Sequence, residues 1–109
     1  MAESLLALPP RLRPTAIIGT NDVFAVGAMV ACRAAGVRIP EDVSITGCDS
    51  TDLGATQTPP LTSIRTPILE IGRAAARQIV ARMEALPWEP WQSLPFEVVA
   101  RGSSGPACR

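Results

Sequence analysis

Residues 15 to 49 read TAIIGTNDVFAVGAMVACRAAGVRIPEDVSITGCD, and this stretch decides the fold. Ala16 to Ile18 is a short apolar, β-branched run that stops at Gly19 and Thr20. Asn21 and Asp22 follow, and behind them a helical stretch runs from about Val23 to Ala35, ending at Gly36, where a left-handed residue is easily accommodated. After a turn containing Pro40, Glu41 and Asp42, the chain enters a second β-branched segment, Val43 to Thr46, which ends at Gly47. Strand, helix and strand in this order predict a crossover between parallel strands. Both strands then end on the same edge of the sheet. The polar residues just beyond them, Asn21 and Asp22 after the first and Asp49 and Ser50 after the second, lie where open α/β sheets bind ligands.

Working outward, Leu5, Leu6 and Leu8 anchor a weakly helical start, and Pro9, Pro10 and Pro14 force an extended approach to the first strand. Downstream, Pro59 and Pro60 lead into Leu61 to Ile64, a third expected strand. Thr66 and Pro67 read as an N-cap and first-turn pair for a helix reaching about Ala85. On that helix Ile68, Ile71, Ala75, Ile79 and Met83 share one face, which is expected to be buried. Trp88 and Trp91 are expected to anchor a loop against it. Pro95 to Arg101 reads as a last strand, and Gly102 to Arg109 as a loose tail.

The helix behind Asp22 is unusual, because Arg33 is its single charge. A helix that is apolar nearly all round needs a cover on both sides. The sheet supplies one, and a second subunit is the expected source of the other.

Composition narrows the function. The chain has 109 residues, 47% of them hydrophobic, with zero formal net charge. It is at most one domain, and no basic stripe marks a nucleic-acid surface. Histidine is absent, so imidazole catalysis and imidazole metal sites are excluded, and Ser50 and Ser63 have no partner for a hydrolytic triad. Cys32, Cys48 and Cys108 are odd in number and widely spaced, implying neither a disulfide framework nor a zinc site. Asp22, Asp49 and Asp52 could meet a hard cation, but no spacing fixes their geometry. No cofactor or metal is expected. No apolar run approaches the ~20 residues of a membrane span, and the first residues lack a secretory signal pattern.

At the candidate edge, Asn21 and Asp22 admit two readings. Either could cap the helix with its side chain, and either could bond a ligand. Asp49 could likewise form a turn or accept hydrogen bonds from ligand hydroxyls.

The string PTAIIGTNDVFAVGAMVACRAAGVRIPEDVSITGCDS, followed by TPPLTSIRTPILEIGRAAA and VVARGSSGP, resembles the C-terminal part of the effector-binding core of lactose-repressor/galactose-repressor (LacI/GalR) family regulators. The resemblance covers Arg13 to Pro106. It implies an α/β, parallel-sheet, periplasmic-binding-protein-like (type I) fold, here an incomplete fragment, and a non-enzymatic transcriptional regulator in the cytoplasm. It implies that Asn21 and Asp49 bind a small-molecule effector, a sugar or related compound. Asp22 and Ser50 could each serve as a helix cap or a secondary ligand contact. The same resemblance places a homodimer interface at Val26, Leu53, Ala55, Thr56 and Gln57, and DNA binding in a headpiece outside this chain. By domains, residues 1–14 are the remnant of an upstream helix and linker, and 15–60 a C-terminal-lobe unit bearing the effector edge. Residues 61–86 are a crossover and helix of the N-terminal lobe, 87–101 the return loop and final strand, and 102–109 a tail. Cys48 stands where the family usually has an aromatic residue, and Ser50 where it often has Asp or Asn. The alternative is the sugar-binding component of an uptake system, which has the same fold.

Overall fold

A computed structural model describes residues 2–107. The expected unit is present: β1 (Ala16–Ile18), α2 (Asp22–Ala34) and β2 (Ser44–Cys48) follow α1 (Ala2–Leu6) and a 3-10 turn at Pro10–Leu12. β1 and β2 pair in parallel, with Ile17 opposite Ile45. Gly36 takes φ 68°, and the amides of Val37 and Gly36 bond Cys32 O at 2.9 Å and Arg33 O at 3.1 Å, closing α2 with a Schellman motif. In the loop beyond, Arg38 grips Asp42 with Nη2 to Oδ1 at 2.7 Å, and this guanidinium holds the carboxyl down to about 2.

α3 (Asp52–Ala55) is a single turn between β2 and β3 (Thr62–Arg65). β3 pairs in parallel with β2, Gly47 opposite Ser63, so the sheet order is β1-β2-β3-β4, with β4 at Glu97–Val99. The chain divides into one compact unit of Met1–Arg65 with Val98–Arg109, and a second of Thr66–Glu97. The division falls at Thr66, and Leu61 to Arg65 lie in the first unit, where β3 is hydrogen-bonded to β2.

The core of the first unit is small and dense. Met29, Ile45, Leu61 and Val43 are almost fully buried, with Ala25, Ala28 and Cys32 from α2 and Leu6 from α1. Each large side chain so buried contributes about 1.5–3 kcal/mol. Burial also pushes the Cys32 thiol up. Cys108 lies outside the described residues.

Three expectations change. First, the segment after Arg101 is no loose tail within the described residues. Ser103 is fully buried, its carbonyl accepts from Ile45 N at 2.7 Å, and its amide donates to Pro60 O at 3.0 Å. Its hydroxyl accepts from Thr62 N at 2.8 Å and donates to Ile45 O at 2.5 Å, plugging the gap where β2 and β3 diverge. Second, the cap position of α4 (Ile68–Met83) falls on Pro67, not Thr66, so its first amides gain no side-chain acceptor there. Third, the apolar face of α4 is exposed: Ile68, Ile71, Ile79 and Met83 face solvent, and Ala74 alone is buried. Within the second unit only the segment after α4 is available to cover that face. Arg82 stacks 4.7 Å over the Trp88 ring, but Trp91 is 89% exposed and anchors nothing.

Ser103→Ala leaves the buried Thr62 amide without its acceptor. A loss of about 1–3 kcal/mol is expected, seen as a lower urea midpoint at constant m-value. An unchanged midpoint would show that the plug contributes nothing.

Candidate functional site

The carboxyl ends of β1 and β2 form the candidate edge. At the end of β1, Gly19 N extends the ladder to Thr46 O at 2.8 Å. A side chain at Gly19 would stand 2.7 Å from Ala25 N, so only glycine lets the turn close onto α2. Asn21 then adopts an extended φ of −149°, and its Oδ1 accepts from Phe24 N at 3.0 Å. Asn21 is therefore the helix cap. Its Nδ2 has no acceptor among the described residues and is left to donate.

Asp22, the other candidate for the cap, does not cap α2. As the first residue of α2 its side chain turns inward and is fully buried. Oδ2 accepts from Thr51 N at 2.6 Å and Thr51 Oγ1 at 2.9 Å, and Oδ1 from Ser63 Oγ at 2.5 Å. Ser63 Oγ in turn accepts from Ser50 N at 3.0 Å. The space is made by glycines. A Cβ at Gly47 would collide with Asp22 Oδ1, and one at Gly54 would lie 3.0 Å from Oδ2.

Asp49 follows β2, and its amide donates to Ile64 O at 2.8 Å. Its carboxylate is exposed and has no protein partner among the described residues. Asp49 and Ser50 have φ of 103° and 51°. Non-glycine residues in this region cost on the order of 1–3 kcal/mol each and cluster at ligand sites and switches. Ser50 Oγ accepts from Arg101 Nη2 at 3.0 Å, while Arg101 Nη1 donates to Leu61 O at 2.6 Å. Ser50 is thus spent on protein contacts in place of capping. The edge offers a donor at Asn21 and a carboxyl acceptor at Asp49, a pair suited to a ligand rich in hydroxyls.

Sequence reasoning missed Thr51, Ser63, Ser103 and Arg101. Their signal was faint: Ser63 occurs in a short strand and Arg101-Gly-Ser-Ser-Gly after another, with no spacing that foretells their partners. Asp22, Asp49 and Asp52 form no metal cluster among the described residues. A groove of about 710 Å³ runs beside the outer edge of β1, lined by Leu5, Ile18, Val23, Phe24 and Ala28. It is mainly apolar, with Glu3 and Thr20 as its polar side chains, and it includes neither Asn21 nor Asp49.

A profile described as periplasmic binding protein-like domain matches residues 1–104. The chain belongs to that family. Membership accounts for the parallel sheet with polar residues at its carboxyl edge. The lactose operon repressor of Rhizobium radiobacter is 35% identical over 103 residues, covering 94% of this chain and 89% of that relative. Other curated relatives are transcriptional repressors and regulators by name, and the chain spans about a quarter of their length. Among solved structures, a LacI family transcriptional regulator from Bifidobacterium animalis superposes with a TM-score of 0.90 at 36% identity, over 98% of this chain and 39% of that one. A LacI family regulator from Lactobacillus casei with bound sucrose superposes with a TM-score of 0.79 at 26% identity, over 94% of this chain and 38% of that one.

Two substitutions separate cap from carboxylate cradle in this family member. Asn21→Ala is expected to cost about 0.5–2 kcal/mol through the lost cap. Gly47→Ala is expected to cost about 1–3 kcal/mol or more by overpacking against Asp22 and Leu61. Denaturant titration measures both, and a Gly47→Ala protein as stable as the parent would refute the cradle.

Proposed function

We propose that this chain is part of the small-molecule effector-sensing core of a LacI-type transcriptional repressor. The effector is a sugar or related compound, bound at the carboxyl edge by Asn21 and Asp49. The observation that carries the reading is a donor at Asn21 and a carboxylate at Asp49, both unspent among the described residues and placed just beyond the carboxyl ends of adjacent parallel strands of a periplasmic-binding-protein-like sheet. The regulator names of the relatives support it over a sugar-uptake component. On this reading the chain has no enzymatic role, works in the cytoplasm, and meets DNA only through a headpiece elsewhere in the protein. Among the described residues no helix is long and apolar enough to cross a membrane.

A thermal-shift panel of sugars and purines on the protein bearing this chain identifies the effector. With it in hand, Asp49→Asn should raise the dissociation constant roughly tenfold to hundredfold, the effect of losing a charged hydrogen bond of about 1.5–3 kcal/mol. Operator binding should change far less. Calorimetric affinity unaltered by Asp49→Asn would remove Asp49 from the site.

The second part of the proposal is a homodimer through the surface containing Val26, Leu53, Ala55, Thr56 and Gln57. Leu53 is 45% exposed, while Val26 is half-buried against the core and adds only its rim. Arg33 Nη2 donates to Gln57 Oε1 at 2.9 Å, joining α2 to the segment behind α3 in one continuous face. A Leu53→Glu substitution should convert dimer to monomer in sedimentation velocity. A dimer that persists at the parent's concentration range would place the interface elsewhere.

A further inference from the structure

Three successive amides follow β2, and each has a different acceptor. Asp49 N donates to Ile64 O at 2.8 Å, Ser50 N to Ser63 Oγ at 3.0 Å, and Thr51 N to Asp22 Oδ2 at 2.6 Å. The first is a continuation of the sheet ladder. The other two both depend on one buried side chain. Asp22 takes Thr51 directly, and it orients Ser63 by accepting that hydroxyl's proton at 2.5 Å, which turns the lone pairs of Ser63 Oγ to the Ser50 amide.

We infer that Asp22 is the positioning residue of the candidate effector edge, holding the 49–51 turn through Thr51 and Ser63 and thereby setting the direction of Asp49. The inference rests on the reading of Asp49 as the effector's acceptor, although the positioning itself is a property of the ligand-free chain. Asp49 and Ser50 sit at φ 103° and 51°, which non-glycine residues leave readily unless their neighbours are fixed. Without Asp22 the Ser50 and Thr51 amides lose their organised acceptors, and the turn relaxes toward ordinary backbone. Arg101 supplies a second hold on the same turn by donating to Ser50 Oγ at 3.0 Å, but it touches the side chain and leaves the amides to Asp22. Asp22 thus never needs to meet the ligand to govern its affinity. An amide in its place keeps a carbonyl oxygen for Thr51, but its NH2 cannot take the Ser63 hydroxyl's proton, so the hold on Ser50 through Ser63 requires the carboxylate.

Amide hydrogen exchange by NMR on the ligand-free 109-residue chain tests this. Ser63→Ala should accelerate exchange of the Ser50 amide by about tenfold or more, with Met29 and Ile45 in the core changing less than about twofold. Asp22→Ala should accelerate both Ser50 and Thr51, and Asp22→Asn should restore Thr51 to near the parent's rate while leaving Ser50 faster than the parent. Should Asp22→Ala fail to fold, Ser63→Ala and Asp22→Asn carry the test. Ser50 exchange at the parent's rate in Ser63→Ala overturns the inference. So does acceleration shared equally by the core, which would make the network a general prop, and so does an Asp22→Asn chain whose Thr51 amide exchanges about tenfold faster than the parent's. These measurements need no effector, so they stand or fall apart from the Asp49→Asn titration.

Discussion

A carboxylate without exposure to water is the constraint on which the first unit depends. Burying a carboxyl group is costly unless its oxygens are hydrogen-bonded, and both oxygens of Asp22 are engaged by neutral donors: Thr51 N, Thr51 Oγ1 and Ser63 Oγ. Its place at the start of α2 adds the favourable end of the helix dipole. Satisfying it commits three elements at once, because the donors come from the turn after β2 and from β3. It also dictates composition nearby. Gly47 and Gly54 leave the room that the carboxylate and Leu61 fill, and a methyl group at either would press on both. One side chain thereby links helix start, sheet centre and candidate ligand edge.

The opposite end of the sheet is closed by hydrogen bonds of a different kind. β2 and β3 diverge below Thr46 and Thr62, which would leave buried backbone groups unpaired. Ser103 fills the gap with its own backbone and hydroxyl, serving both strands. Arg101, two residues earlier, reaches Leu61 O and Ser50 Oγ. The final segment therefore touches both the closed end and the ligand end of the sheet. Its hydroxyls are structural, which is why serines without a histidine partner are nonetheless buried here.

Apolar exposure follows from edges. β1 is the outermost strand in the order, and Ile18 at its end is 80% exposed. α2 turns Ala25, Ala28, Met29 and Cys32 to the sheet, and leaves Val23, Phe24 and Val30 in solvent. Surfaces of this kind are usually met by more protein. In the second unit the same holds for the isoleucine face of α4, whose spacing is helical but whose cover is lacking among the described residues.

Sequence alone determined the parallel β1-α2-β2 unit, because apolar periodicity, a terminal glycine and β-branched runs are local signals. Ala16–Ile18 and the close of α2 at Gly36 came out as read, since a strand's pattern and a left-handed cap require no distant partner. The family was legible too, from an ordered chain of motifs that the profile match to residues 1–104 bears out. The polar edge was legible as a place, but the division of labour within it was not. Asn21 and Asp22 are adjacent, both polar and both able to cap, and nothing local says which turns inward. That was decided by donors 29 and 41 residues away, at Thr51 and Ser63. The apparent tail was decided in the same way, by a gap between β2 and β3 that exists only once the strands are paired. Hydrogen bonds between residues far apart in sequence leave no periodicity to read, and tertiary structure alone could assign them.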